Sequence, residues 1–200
     1  MKGTAAVRTA EIKRATKETD IRVLLDLDGP ARAQIDTGVG FFNHMLTALA
    51  IHSGISLEVS CKGDLDVDCH HTIEDVGIAL GQALASALGN RAGIARYGSA
   101  YIPMDEALGF AAVDVSGRPF LVFTAEWKAD RIGEMDTQMV EEFFRALAFN
   151  AGITLHVSAQ YGANDHHKAE AIYKAFAHAL KAAIRPNADG EVLSTKGTLA

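Results

Sequence analysis

"HMLTALAIHSGISLEVS" (His44–Ser60) and "EFFRALAFNAGITLHVS" (Glu142–Ser158) are one passage written twice. Ala48-Leu49-Ala50 aligns with Ala146-Leu147-Ala148, Gly54-Ile55 with Gly152-Ile153, and Leu57, Val59 and Ser60 with Leu155, Val157 and Ser158. Each copy opens with apolar residues at helical spacing, is stopped by a glycine, and continues as an alternating run suited to a half-buried strand. Self-similarity at this distance marks a duplicated structural unit. The fold must therefore build a helix–turn–strand module twice.

Outward from the repeat, β-rich runs stand at Ala6–Arg14, Asp20–Asp28, Arg32–Asp36 and Ile55–Lys62, with helical periodicity at Phe41–His52 and Thr72–Leu88. After Gly93 the pattern restarts. Strand-like runs follow at Ala107–Val115, Pro119–Trp127 and Ile153–Gln160, and helical runs at Gln138–Asn150 and His167–Ile184, the last ended by Arg185-Pro186. No linker composition separates the halves. The expectation is one α/β (α+β) domain over 1–200, made of homologous halves at about 4–92 and 93–186 with a polar, turn-rich tail at 187–200.

The bulk composition bounds the function. A chain of 200 residues, 48% apolar and 22% charged, can bury one shared core and is ordinary for a globular protein. A net charge of −6 argues against a general nucleic-acid binder and against attachment to an anionic membrane by charge, while leaving room for a local basic pocket. Cys61 and Cys69 make no disulfide framework, which points to a reducing compartment. With no apolar leader and no stretch long enough to span a bilayer, a cytoplasmic location is expected.

Downstream of each repeat lies the same chemical element. "DCHHTIEDVG" (Asp68–Gly77) and "NDHHKAEAIY" (Asn164–Tyr173) both read His-His-x-x-Glu ahead of an apolar helical run. On a helix, Glu74 shares a face with His70 and His71, and Glu170 with His166 and His167, since residues three and four apart are neighbours. Adjacent imidazoles diverge by about 100° around the axis, so each pair suits two ions better than one. Four imidazoles and two carboxylates favour a borderline divalent metal such as Mn, Zn, Fe or Co over Mg or Ca. The repeat register adds His44 and Glu142, one helix upstream of each element. The candidate ligands are thus His44, His70, His71, Glu74, Glu142, His166, His167 and Glu170. A single His-His pair is usually surface polarity; its recurrence in register reverses that reading. His52, His156 and His178 have no matched histidine, and Cys69 aligns with Asp165. These four are read as ordinary residues.

Other polar stretches are weaker signals. "RATKET" (Arg14–Thr19) reads from composition as a solvated hairpin, "PMDEAL" (Pro103–Leu108) as a turn carrying Asp105 and Glu106, and "SGRP" (Ser116–Pro119) as a turn that does not itself require Arg118. Arg96, Arg118, Lys174 and Lys196 offer a phosphate clamp in an otherwise acidic chain. No Walker A, Gly-x-Gly-x-x-Gly or Gly-x-Ser-x-Gly pattern occurs.

Taken in order, "RATKET", "DTGVGFFNHML", "DCHHTIEDVGIALG", "PMDEAL", "DVSGRP", "NDHHKAEAIYKAFAHAL" and "STKG" resemble the imidazoleglycerol-phosphate dehydratases of histidine biosynthesis, over nearly the whole chain. The resemblance implies a duplicated split βαβ-type module with two mostly antiparallel four-stranded sheets backed by helices. It also implies a homo-oligomer of about 24 subunits with sites at subunit interfaces. Two Mn ions per site are implied as cofactors, other divalent transition metals also suiting the donors. The reaction would convert D-erythro-imidazoleglycerol phosphate to imidazole acetol phosphate.

Family ligands match at His44, His70, His71, Glu74, His166, His167 and Glu170, while Glu142 stands where some members carry histidine. Phosphate contacts match at Arg96, Arg118, Ser194 and Lys196, with Lys174 as a further candidate. Glu18 matches a glutamate beside the substrate. The implied catalytic set is Glu18 with His44, His70, Glu74, His166 and Glu170.

The chemistry accounts for this equipment. The carbinol hydrogen has no adjacent carbonyl, so metals on the ring nitrogens would favour an imidazolate able to expel the neighbouring hydroxyl, giving a diazafulvene. Glu18 would move the proton. A metal-dependent phosphoesterase would use similar ligands but release inorganic phosphate. A metal-storing protein would leave Glu18, Arg96 and Arg118 without a role.

Overall fold

The structure, a computed structural model, describes residues 7–187, 190–195, 197 and 199. Residues 4–6 of the expected first half, and Lys196, lie outside the described residues. The first half runs β1 (Thr9–Ala15), β2 (Thr19–Asp26), β3 (Arg32–Asp36), α1 (Gly40–Ser53), β4 (Ser56–Gly63) and α2 (His70–Leu88). The second runs β5 (Tyr97–Met104), β6 (Ala107–Asp114), β7 (Phe120–Thr124), a short hairpin of β8 (Arg131–Ile132) and β9 (Met135–Asp136), α3 (Met139–Ala151), β10 (Thr154–Tyr161) and α4 (Asp165–Ala183).

Alternation of side chains makes the strands one-sided. In β2, Thr19, Ile21, Val23 and Leu25 are buried, and in β6 Ala107, Gly109, Ala111 and Val113 are, with the intervening residues turned outward. The two sheets repeat one order, β1-β2-β4-β3 and β5-β6-β10-β7. In each, the first two pairings are antiparallel and the last is parallel. Parallel neighbours need a long crossover, and α1 and α3 supply it. Both of those helices end on a glycine in the left-handed region, Gly54 at φ 81° and Gly152 at φ 64°. That conformation turns the chain back at little steric cost, which explains why the repeat keeps Gly-Ile there.

The helices form the inner layers. α2 lies on β1, β2 and β4, while α4 lies on β5, β6 and β10. Across the pseudo-twofold, α2 packs on α3 and α1 on α4, so each helix pair takes one member from each half. Phe42, Phe143, Phe144, Tyr173 and Phe176 are fully buried at this junction, with Phe42 edge-on to Phe143 at 5.3 Å between ring centroids and Phe143 stacked on Tyr173 at 5.3 Å. Burying each such ring contributes roughly 1.5–3 kcal/mol, so the two halves share one core.

The structure differs from the sequence expectations in three places. β5 carries no strong strand signal, because Gly98 and Pro103 interrupt it. Gly98 is there because α4 is close: a Cβ would come within 2.0 Å of the Ala179 carbonyl oxygen. The run expected at Pro119–Trp127 is strand only over Phe120–Thr124, where β10 offers pairing partners. The β8–β9 hairpin interrupts the second half without a counterpart in the first.

Candidate metal centre

Both His-His-x-x-Glu elements open helices. His70 is the first residue of α2, and Asp165 begins α4 one residue ahead of His166. Asp68 accepts a hydrogen bond from the His70 backbone N–H at 2.7 Å, and Asn164 accepts one from the His166 N–H at 2.9 Å, so each helix start is fixed by a short polar side chain. The neighbouring rings then diverge as helix geometry requires. His70 and His71 lie edge-on at 79°, and His166 and His167 at 85°.

One ligand set is assembled. His44 from α1 meets His166 and Glu170 from α4, with one ligand atom of each within 4.8 Å of the others. His44 Nε2 is 3.6 Å and His166 Nε2 3.3 Å from Glu170 Oε2. The upstream histidine of one half thus joins the His-x-x-x-Glu of the other, as the α1–α4 packing dictates. Glu170 is buried, and its second oxygen lies 2.6 Å from Lys174 Nζ. Burial pushes its carboxyl upward, but the Lys174 ammonium and the His44 imidazole outweigh that and hold it below the usual carboxylate range. Lys174, expected as a phosphate contact, is thereby committed to Glu170. Two imidazoles and a carboxylate converging this closely fit a borderline divalent transition metal.

The remaining candidates are dispersed. His70 Nε2 faces Glu74 at 3.6 Å, while Glu142, the repeat equivalent of His44, turns to Arg145 at 3.4 Å. Among the described residues only His44, His166 and Glu170 form a group of three ligands. His71 and His167 point away from their partners toward carboxylates. His71 Nδ1 lies 3.0 Å from Asp64, and His167 Nδ1 lies 2.7 Å from Glu106. Those hydrogen bonds raise both imidazoles above their usual range. Glu106 also accepts the backbone N–H groups of Ala163 and Asn164. With His167 the main cause, its carboxyl falls to about 2.

Glu18 sits on the β1–β2 turn with its carboxylate 3.9 Å from His71 Nε2 and half exposed. Its backbone is held at both ends: the N–H donates to Thr16 Oγ1 and the carbonyl accepts from the Asp64 N–H. Arg96 and Arg118 converge elsewhere, on Asp114 at the far end of β6. Arg96 Nε is 2.7 Å from Asp114, and Arg96 Nη1 donates to the Leu193 carbonyl, which fastens the tail next to Ser194. Arg118 is exposed, 3.9 Å from Asp114. Seven residue steps of β6 separate this cluster from Glu106 and His167, roughly 23 Å at strand rise. One small molecule cannot span that distance within a chain.

Several residues here carried no separate signal in the sequence. Asp64 and Asp114 are single acidic residues whose partners are distant in the chain, and Asp75 was masked by the neighbouring Glu74. Cys69, read as an ordinary residue, is buried and has no place in the ligand group. His52 and His178 pair with each other on α1 and α4, with rings 5.5 Å apart.

Known proteins resemble this chain in sequence and in fold. The family model described as imidazoleglycerol-phosphate dehydratase matches residues 37–180. Relatives of that name include one from Rhodopseudomonas palustris strain TIE-1, 60% identical over 96% of this chain and 99% of its own. Another, from Clostridium kluyveri, is 55% identical over 96% and 100%. Among solved structures, imidazoleglycerol-phosphate dehydratase from Staphylococcus aureus is 42% identical, covering 90% of this chain and 99% of its own with a TM-score of 0.81. The Pyrococcus furiosus enzyme in complex with (S)-C348 is 35% identical over 94% and 100%, with a TM-score of 0.82.

Proposed function

Because the chain belongs to the imidazoleglycerol-phosphate dehydratase family, a hydro-lyase family of histidine biosynthesis, we propose that it removes water from imidazoleglycerol phosphate using divalent transition metal held by its paired His-His-x-x-Glu elements. The observation that carries the metal reading is the convergence of His44, His166 and Glu170 from opposite halves of the chain. His70, Glu74 and Glu142 are assigned as the repeat-related ligands although they do not gather within one chain, and His71 and His167, whose Nε2 atoms lie 3.9 Å from Glu18 and 3.7 Å from Asp105, are assigned as further ligands. Manganese, two ions per site, is the assignment carried from the family resemblance. A metal bound there supplies Lewis acidity to the imidazole nitrogens of the substrate.

The protein groups divide the remaining work. Arg118 and the Ser194 turn, backed by Arg96, bind the phosphate, with Lys196 assigned to the same task from its motif. Glu18 takes the proton from the carbinol carbon. The adjacent hydroxyl leaves as water with the proton given up by the ring N–H, the proton held by Glu18 passes to the ring nitrogen, and the enol that results relaxes to the ketone of imidazole acetol phosphate. The Glu106–His167 pair and the arginine cluster lie roughly 23 Å apart along β6, which supports an active site completed by neighbouring copies of a homo-oligomer, the figure of about 24 subunits being carried from the family resemblance.

Glu18→Gln is the direct test of the protein's own chemistry. It should retain metal at the wild-type stoichiometry by elemental analysis and lose turnover by roughly 100-fold or more, as expected for removal of a general base. Near-normal turnover would remove Glu18 from the mechanism.

A further inference from the structure

The two halves build the same turn from different chemistry. Ala15 pairs with Asp20 across β1–β2 as Pro103 pairs with Leu108 across β5–β6, with four residues between each pair. This register sets Arg14, Thr16, Glu18 and Thr19 against Ile102, Met104, Glu106 and Ala107. The His-His-x-x-Glu register likewise sets Asp75 against Ala171. Both turns keep the glutamate. The polar side chains at positions 14, 16, 19 and 75 have apolar counterparts in the second half.

In that half, Asp75 of α2 is buried and accepts two hydrogen bonds on one oxygen, from Arg14 Nη1 at 2.5 Å and from the buried Thr19 hydroxyl at 2.6 Å. Thr16 Oγ1 in turn accepts the backbone N–H groups of Glu18 and Thr19, both at 3.0 Å, and lies 3.3 Å from Thr19 Oγ1. The chain of contacts runs from α2 through Thr19 and Thr16 to the backbone that carries Glu18. The second half shows that the module needs none of this to fold, because apolar residues fill the same places. A largely buried ion pair is also weak evidence for stability, since desolvation offsets most of its attraction. Its use must be sought in what the first-half turn alone has to do.

We propose that Asp75, acting through Thr19 and Arg14, is a positioning residue that holds the Glu18 turn at a fixed height over the metal-binding helix α2. The network converts a two-strand turn into a rigid mount, so that Glu18 keeps its orientation relative to His71 and Glu74 while its carboxylate stays open. Glu106 needs no such mount because its carboxylate is itself clamped by His167 and two backbone N–H groups. This inference rests on the role proposed for Glu18.

Thr19→Val keeps the shape of the buried side chain and removes the hydroxyl. It is expected to lower kcat roughly ten- to 100-fold, as a slight misplacement of a reacting group does, with KM and metal content unchanged. Hydrogen–deuterium exchange should rise over residues 14–20 and stay unchanged over 102–108, which serves as the internal control. Thr19→Ser should restore both readouts. If Thr19→Val fails to assemble, Asp75→Asn, which keeps an acceptor but loses the charge, carries the same expectation. Unchanged kcat, or a loss of turnover that tracks lost metal or a general rise in exchange, would overturn the proposal. Full turnover in Glu18→Gln would instead overturn the reading beneath it. A slow Glu18→Gln beside a fully active Thr19→Val would reject the mount alone.

Discussion

His71 and His167 are held by one device made from different parts. Each ring directs Nδ1 at a carboxylate, which fixes the ring plane and turns Nε2 away from that bond. The first half uses Asp64, just past β4, and the second uses Glu106, in the β5–β6 turn. That substitution of parts leaves Glu18, the counterpart of Glu106, half exposed beside His71. The histidines were legible in the sequence because duplication repeats them in register. Their carboxylate partners were not, since Asp64 and Glu106 gain meaning only where the fold brings them to a ring.

From the same pair, acid sensitivity is expected of the metal-free protein. The Glu106 carboxyl falls from 4.5 to about 2, with the hydrogen bond to His167 as the leading cause. A depressed carboxylate stabilises the fold above its unfolded value, and that contribution is lost as pH falls from 4.5 toward 2. His167 is raised above 6.5, so its share is complete below 6.5 and fades as pH rises through the raised value. The melting temperature of chelated protein should therefore drop between about pH 4.5 and 2, and Glu106→Gln should flatten that segment. Superimposable acid profiles for the two proteins would show that the pair does not act this way.

At the scale of elements, helices were the most legible because period 3.6 places His70 with Glu74 and His166 with Glu170 on one face regardless of context. The structure keeps both pairs, at 3.6 and 3.3 Å. Strands were legible where alternation was strong, as in β2 and β6, and illegible in β5, where helix proximity rather than strand preference selects glycine. This has a measurable consequence. Gly98→Ala would drive a Cβ into the α4 backbone and should cost about 1–3 kcal/mol, read as a lower melting temperature. Gly40→Ala, where nothing lies within 4 Å of the added carbon, should be close to neutral or slightly stabilising. Equal effects of the two substitutions would show that β5 and α4 are not in the contact described.

The whole molecule adds what neither residues nor elements disclose. Repeat register named His44 and Glu142 as equivalent, but which His-His-x-x-Glu each would join depends on helix packing across the pseudo-twofold. His44 goes to the other half, and Glu142 turns toward Arg145. The separation between ligand helices and the Arg96–Arg118 cluster likewise follows from strand direction and could not be read from motif order. Together they place the Glu106–His167 pair and the Arg96–Arg118 cluster at opposite ends of β6. In the proposed function these divided ligands hold a metal on which dehydration depends. The most direct measurement is turnover of imidazoleglycerol phosphate by the assembled protein, first stripped with chelator and then reloaded with Mn. Imidazole acetol phosphate is expected only after reloading, without release of inorganic phosphate. Undiminished product from verified metal-free protein would contradict it.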